Sequence, residues 1–144
     1  IDAFAGQMSR EGVAVLLYSD HGLASSAPTA TTLATWAEAD SPRWCRLPAG
    51  GAGRVRWLYP HAGQRDRLVG WLADRLPTAV VTTPERLARL GLVRAGSVGA
   101  RRLGEVVLLA RGPDFPAADP TAAFEHGSMT ADEVLVPLAV WQPE

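Results

Sequence analysis

Val13-Ala14-Val15-Leu16-Leu17-Tyr18-Ser19-Asp20-His21-Gly22 is the stretch whose reading decides the fold. Its first six residues, Val13 to Tyr18, run without a polar break. The run is strand-sized and rich in β-formers, which suits a strand covered on both faces, as in a parallel sheet with helices on either side. It then stops abruptly at a polar cluster. Polar residues just past the C-terminal end of a buried strand lie where open α/β sheets place their ligands.

Working outward, Ile1–Arg10 carries Phe4 and Met8 four apart and reads as the last turns of a helix, which Gly12 stops. The chain opens on Ile1-Asp2 rather than Met, so we expect either that a leading segment was removed or that this is part of a longer protein. Downstream, residues 23–53 are rich in Ala, Ser, Thr, Pro and Gly and read as an excursion from the sheet. Within it, Gly50-Gly51-Ala52-Gly53 reads as a flexible turn, because neither the Walker spacing nor the dinucleotide spacing is present.

The pattern then sharpens. Arg54–Tyr59 alternates as a half-buried strand does, with Val55, Trp57 and Tyr59 on one face and Arg54 and Arg56 on the other. Gln64–Leu76 places Leu68, Trp71, Leu72 and Leu76 at helical spacing. Ala79–Thr82 is a short strand, and Thr83-Pro84-Glu85 opens a helix with Thr83 as N-cap and Pro84 at its first position. Gly91 ends that helix, and Glu105–Ala110 is a further apolar strand. Thr130 and Glu133 have capping-box spacing, followed by Val134–Trp141, in which Pro137 marks an edge strand or a strand start. The alternation of strands and helices predicts a mixed α/β fold.

Composition excludes several classes. The net charge of −1 supplies no field for nucleic acid or an anionic membrane surface. Every basic residue is Arg, and that, with the abundant Ala, reads as compositional bias rather than an anion-binding device. No apolar run approaches the roughly 18 residues of a membrane span. The single cysteine, Cys45, permits no internal disulfide and leans the chain toward the cytoplasm without assigning a compartment.

The three histidines are His21, His61 and His126. His21 and His126 each precede a glycine in a polar loop beside a strand, and Asp20 adjoins His21. A carboxylate and an imidazole at a strand end suit a borderline-soft divalent cation such as zinc. A glycine after each histidine lets the backbone turn sharply and leaves room for an ion or a phosphate. An Asp-His pair in a loop also serves as ordinary hydrogen-bonded structure, so composition and spacing leave both readings open.

The run Val15–Gly22 resembles the strand and Asp-His-Gly motif of the alkaline phosphatase superfamily, nearest its nucleotide pyrophosphatase/phosphodiesterase branch. Glu125-His126-Gly127-Ser128-Met129-Thr130-Ala131-Asp132-Glu133-Val134-Leu135-Val136-Pro137-Leu138 resembles that branch's closing motif, in which a His-Gly leads through a capped turn into a Val-Pro-Leu strand. Arg54–Tyr59 and Leu103–Gly112 also resemble bacterial members, so the likeness covers most of the chain outside residues 24–53.

The resemblance implies an α/β/α sandwich with a mostly parallel sheet, of which residues 1–144 form the C-terminal portion of one domain. It implies that Asp20 and His21 ligate one ion of a two-zinc site and that His126 ligates the other. It implies hydrolysis of a phosphoric diester or nucleotide pyrophosphate bond through a Thr or Ser nucleophile that normally precedes the Asp-His-Gly motif. Nothing in Ile1–Ser19 supplies that nucleophile, since Ser9 sits in a helical tail. The chain alone is therefore expected not to turn over, and an upstream segment of the same protein is its expected partner. A PglZ-type domain of a defence or signalling protein is the alternative within the superfamily. Outside it stands a non-catalytic α/β module.

The remaining candidates weigh less. His61 reads as loop structure, Cys45 as a bystander without a base partner, and the five Trp as packing groups. Arg54, Arg56, Arg101 and Arg102 read as solvated, and Ser128 and Thr130 belong to the capped turn.

Overall fold

The computed structural model describes residues 1–143. The chain opens with α1 (Asp2–Arg10), β1 (Val15–Tyr18), β2 (Ala24–Ser25) and α2 (Ala30–Ala39). It continues through β3 (Cys45–Ala52), β4 (Val55–Pro60), α3 (Arg65–Arg75), β5 (Ala79–Thr82) and α4 (Pro84–Arg89). It closes with α5 (Val98–Arg102), β6 (Val106–Ala110), β7 (Phe124–Glu125), α6 (Ala131–Val134) and β8 (Leu138–Trp141). The class is mixed α/β. Among the described residues no helix is long and apolar enough to cross a membrane.

The sheet is not mostly parallel. Its main body is four strands in the order β3-β4-β6-β5, and every pairing in it is antiparallel. β6 is central and almost entirely buried, which accounts for its uninterrupted Val106-Val107-Leu108-Leu109 run. Helices α2 and α3 cover one face of this sheet. Leu68, Leu72 and Leu76, spaced four apart, pack with Leu58, Val106, Leu108 and Phe115 into one core.

Three expectations are corrected here. The alternation of β4 is right, but its buried face carries Leu58 and Pro60, with Arg56 on the same side and its guanidinium 4.7 Å over the Trp36 ring. Residues 23–53 carry more regular structure than their composition suggests, since β3 is an edge strand of the four-stranded sheet and Ala39, Trp44 and Cys45 sit in the core. Gly50-Gly51-Ala52 lies within β3 rather than in a flexible turn, pairing with Trp57, Arg56 and Val55, and of the four residues only Gly53 sits in the turn to β4.

β1 is corrected as well. It is not enclosed in a parallel sheet but forms an antiparallel ladder with β8 alone. In that register Leu16 faces Val140 and Tyr18 faces Leu138, which puts all four on one face. They are 60, 55, 64 and 68% exposed in that order, so this face is bare. The opposite face, with Val15, Leu17, Ala139 and Trp141, carries α1, whose Asp2 accepts a hydrogen bond from Trp141 Nε1 at 3.1 Å. Within α1 the inward residues are Ala5 and Ser9, while Phe4 points to solvent.

Candidate functional site

Two loops distant in sequence meet at one place. His21 lies three residues past the end of β1 and His126 immediately past β7. Their rings stack with centroids 3.7 Å apart and planes inclined by 12°. The reason is local. β2 and β7 pair through Ala24↔Glu125 and Ser25↔Phe124, so the ladder that follows one histidine is the ladder that precedes the other.

His21 Nδ1 sits 2.9 Å from the Gly22 carbonyl, which fits the tautomer with its proton on Nδ1 and leaves the Nε2 lone pair free. Nε2 lies 3.8 Å from Asp20 Oδ2, and the Asp20 side chain is 84% exposed. Asp20 also accepts the His21 backbone N–H at 3.1 Å, and Ser19 Oγ donates to the His21 carbonyl at 2.6 Å. The Asp20-His21 loop is therefore shaped by its own short hydrogen bonds, with the Asp20 carboxylate exposed and the His21 side chain partly so.

Beneath the histidines lies a buried ion pair. Arg54 and Glu133 side chains are each 1% exposed, with Nε 3.2 Å from Oε1 but without the alignment of a hydrogen bond. Glu133 Oε1 accepts the Ser128 N–H at 2.8 Å, and Thr130 Oγ1 donates to Oε2 at 2.5 Å. Arg54 Nη1 donates to the Ser25 carbonyl at 2.8 Å and to that of Gly112 at 3.1 Å. The Arg54 backbone N–H donates to the His126 carbonyl at 2.7 Å, and Gly22 N–H donates to the Glu133 carbonyl at 2.9 Å.

Arg54 is thus not solvated as its sequence context suggests. Nor is Thr130–Glu133 a capping box. Thr130 caps α6 by position only, and the Glu133 carboxylate turns inward to Arg54 and Ser128.

The glycines do not leave room for an ion. A Cβ on Gly22 would lie 1.9 Å from the Asp132 carbonyl oxygen, so that position is filled by the backbone of the α6 turn. Gly127 has φ +110°, a conformation side chains avoid, and a Cβ there would meet the Ala52 carbonyl oxygen at 3.0 Å. Both glycines serve close packing of loops.

The other candidates are structural. His61 Nε2 lies 2.9 Å from the Pro42 carbonyl. Ser128 Oγ donates to the Ala110 carbonyl at 2.7 Å, and Ser9 Oγ donates to the Gln142 carbonyl. Cys45 Sγ lies 3.2 Å from the Ala39 carbonyl, and burial pushes its thiol pKa up, which makes it a poor nucleophile. Trp44 and Trp71 pack together in and against the core, 5.7 Å between rings.

Whether these residues fit a metal is a question of donors. Asp20 oxygen and imidazole nitrogen are the right types for zinc or manganese. Among the described residues, however, no group of three or more His, Cys, Asp or Glu gathers around one point. The donor set therefore fits part of a coordination shell. A scan of protein-family models finds none that matches this chain, and a search of curated proteins finds no match.

Proposed function

We propose that this chain is the C-terminal part of a metal-dependent phosphoric ester hydrolase of the alkaline phosphatase type, acting on a phosphodiester or nucleotide pyrophosphate bond. The observation that carries the proposal is the stacking of His21 on His126, which brings both motifs that carry the resemblance to one place. Asp20 and His21 would hold one divalent ion, zinc being the expected metal, and His126 a second. When bound, such a pair supplies Lewis acidity toward the phosphoryl group and an activated nucleophile at neutral pH.

What the chain's own residues do is hold donors. The Gly22 carbonyl orients the His21 ring, and Asp20 presents an exposed carboxylate beside it. No nucleophile is assigned, because Ser9 and Ser128 already donate their hydroxyl protons to backbone carbonyls. The bare face of the β1/β8 ladder supports an upstream segment that packs over it, since four large apolar side chains on one face call for a cover.

A second reading is a non-catalytic α/β module in which the histidines only pack. It is favoured by the missing third donor and by rings that meet face to face.

The test is hydrolysis of bis-p-nitrophenyl phosphate with zinc, by this chain and by the polypeptide that includes the upstream segment. We expect no turnover from the chain alone. The longer polypeptide should show chelator-sensitive turnover that His126→Ala abolishes. Turnover by the chain alone, or by the longer His126→Ala protein at the wild-type rate, would overturn the assignment.

A further inference from the structure

We propose that the buried Arg54–Glu133 pair is the positioning device that holds His21 against His126. The pair touches the chain just after each histidine. Arg54 Nη1 holds the carbonyl of Ser25, in the β2 strand that follows His21, and its backbone N–H holds the carbonyl of His126 itself. Glu133 holds the Ser128 N–H with its carboxylate and the Gly22 N–H with its carbonyl, one residue beyond each histidine's neighbour or directly beside it. The two side chains thus hold backbone groups of Ser25, Gly112 and Ser128, and the main chain of the same two residues holds His126 and Gly22.

Another link between the two loops is the β2/β7 ladder, which the Ser26 N–H extends by a bond to the Ala123 carbonyl at 2.9 Å. The β2/β7 ladder has only two residue pairs, too short to fix a geometry by itself. A buried ion pair is a poor source of stability, because apolar residues of similar volume do as well or better. Its value here lies in directionality: a guanidinium and a carboxylate set the angles and distances of the backbone groups they bind. Arg54 and Glu133 touch neither a metal donor nor any reacting atom, so they act through the loops.

The functional consequence rests on the reading of His21 and His126 as ligands, whereas the positioning claim does not. The experiment separates the two. Arg54→Met/Glu133→Met keeps the volume buried and removes the side-chain bonds to Ser25, Gly112 and Ser128, while the main-chain bonds to His126 and Gly22 stay in place. The nuclear Overhauser effect between the His21 and His126 ring protons reports their stacking, with three histidines making assignment simple. Zinc affinity reports ligation.

In a folded double variant with an unchanged circular dichroism spectrum, we expect the inter-ring effect to vanish and zinc affinity to fall about tenfold or more, as for other groups behind metal ligands. If the double variant does not fold, Glu133→Gln carries the test. It keeps an oxygen for the Ser128 N–H and removes the counter-charge of Arg54, and a reduced inter-ring effect is expected. A wild-type inter-ring effect in either folded variant overturns the proposal. Loss of the effect in a protein whose wild type binds no zinc upholds the positioning device and removes the metal reading alone.

Discussion

Glu133→Ala isolates the energetics of the buried pair. Both partners are 1% exposed, so solvent screening is minimal and the substitution leaves the Arg54 charge buried without its counter-ion. Breaking such a pair by removing one member costs about 3–5 kcal/mol. The Ser128 N–H also loses its acceptor, a further cost of about 1–3 kcal/mol for a buried donor. The Ser25 and Gly112 carbonyls still receive Arg54 Nη1 and soften the loss, and neighbouring effects do not simply add. The expected total is about 4–6 kcal/mol, a large share of the ~5–15 kcal/mol available to a domain. With a urea slope of about 1–3 kcal/mol/M, the unfolding midpoint should drop by at least about 1.3 M. Arg54→Met/Glu133→Met should cost less than Glu133→Ala, although it removes more hydrogen bonds, because it leaves no charge buried without its counter-ion. A Glu133→Ala loss below about 1 kcal/mol would refute the reasoning, because a truly buried guanidinium cannot lose its carboxylate so cheaply.

Other outcomes follow from single sites. Gly22→Ala must push the Asp132 carbonyl away from a Cβ placed 1.9 Å from it, and should destabilise by about 1–3 kcal/mol in a thermal melt while weakening zinc binding. Leu58→Ala opens a cavity beneath β4 in the fully buried core and should cost about 2–5 kcal/mol by chemical denaturation. Burial raises the Cys45 thiol pKa above its ordinary 9.0, so the folded state favours the neutral thiol. That contribution is fully present below the unfolded value and is lost as pH rises through the folded one. Cys45→Val should therefore flatten the decline in stability above about pH 9. Leu16→Thr/Leu138→Thr lies on the bare face and should change stability by no more than about 0.5 kcal/mol per site while reducing dye binding to exposed apolar surface.

Much of the local structure was legible in the sequence, and the failures have physical causes. Helix α3 followed from leucines four apart, and α4 from Thr83-Pro84, whose hydroxyl does accept the Arg86 N–H at 3.4 Å. The start of β8 directly after Pro137 also matched. The parallel sheet failed because a continuous apolar run such as Val13–Tyr18 indicates that a strand needs cover, and β1 has cover on one face only. β3 was missed because its glycines carry no hydrophobic signal and owe their place to pairing with β4. The faces of β4 were misassigned because Trp57 and Tyr59 looked like the core residues, while Leu58 took that role. The convergence of His21 and His126 was expected only through resemblance, since β2 and β7 are two residues each and leave no periodicity to read. Arg54 as a buried partner of Glu133 had one available signal, the capping-box spacing at Thr130, and that signal pointed to a different role.

Calorimetric titration of this chain with zinc, alongside Asp20→Ala, His21→Ala, His126→Ala and His61→Ala, tests the central claim most directly. Saturable binding that weakens with each of the first three changes and is untouched by His61→Ala is the expected result. Binding indifferent to Asp20, His21 and His126, or no saturable binding by the polypeptide that includes the upstream segment, would contradict the account and leave the stacked histidines as packing.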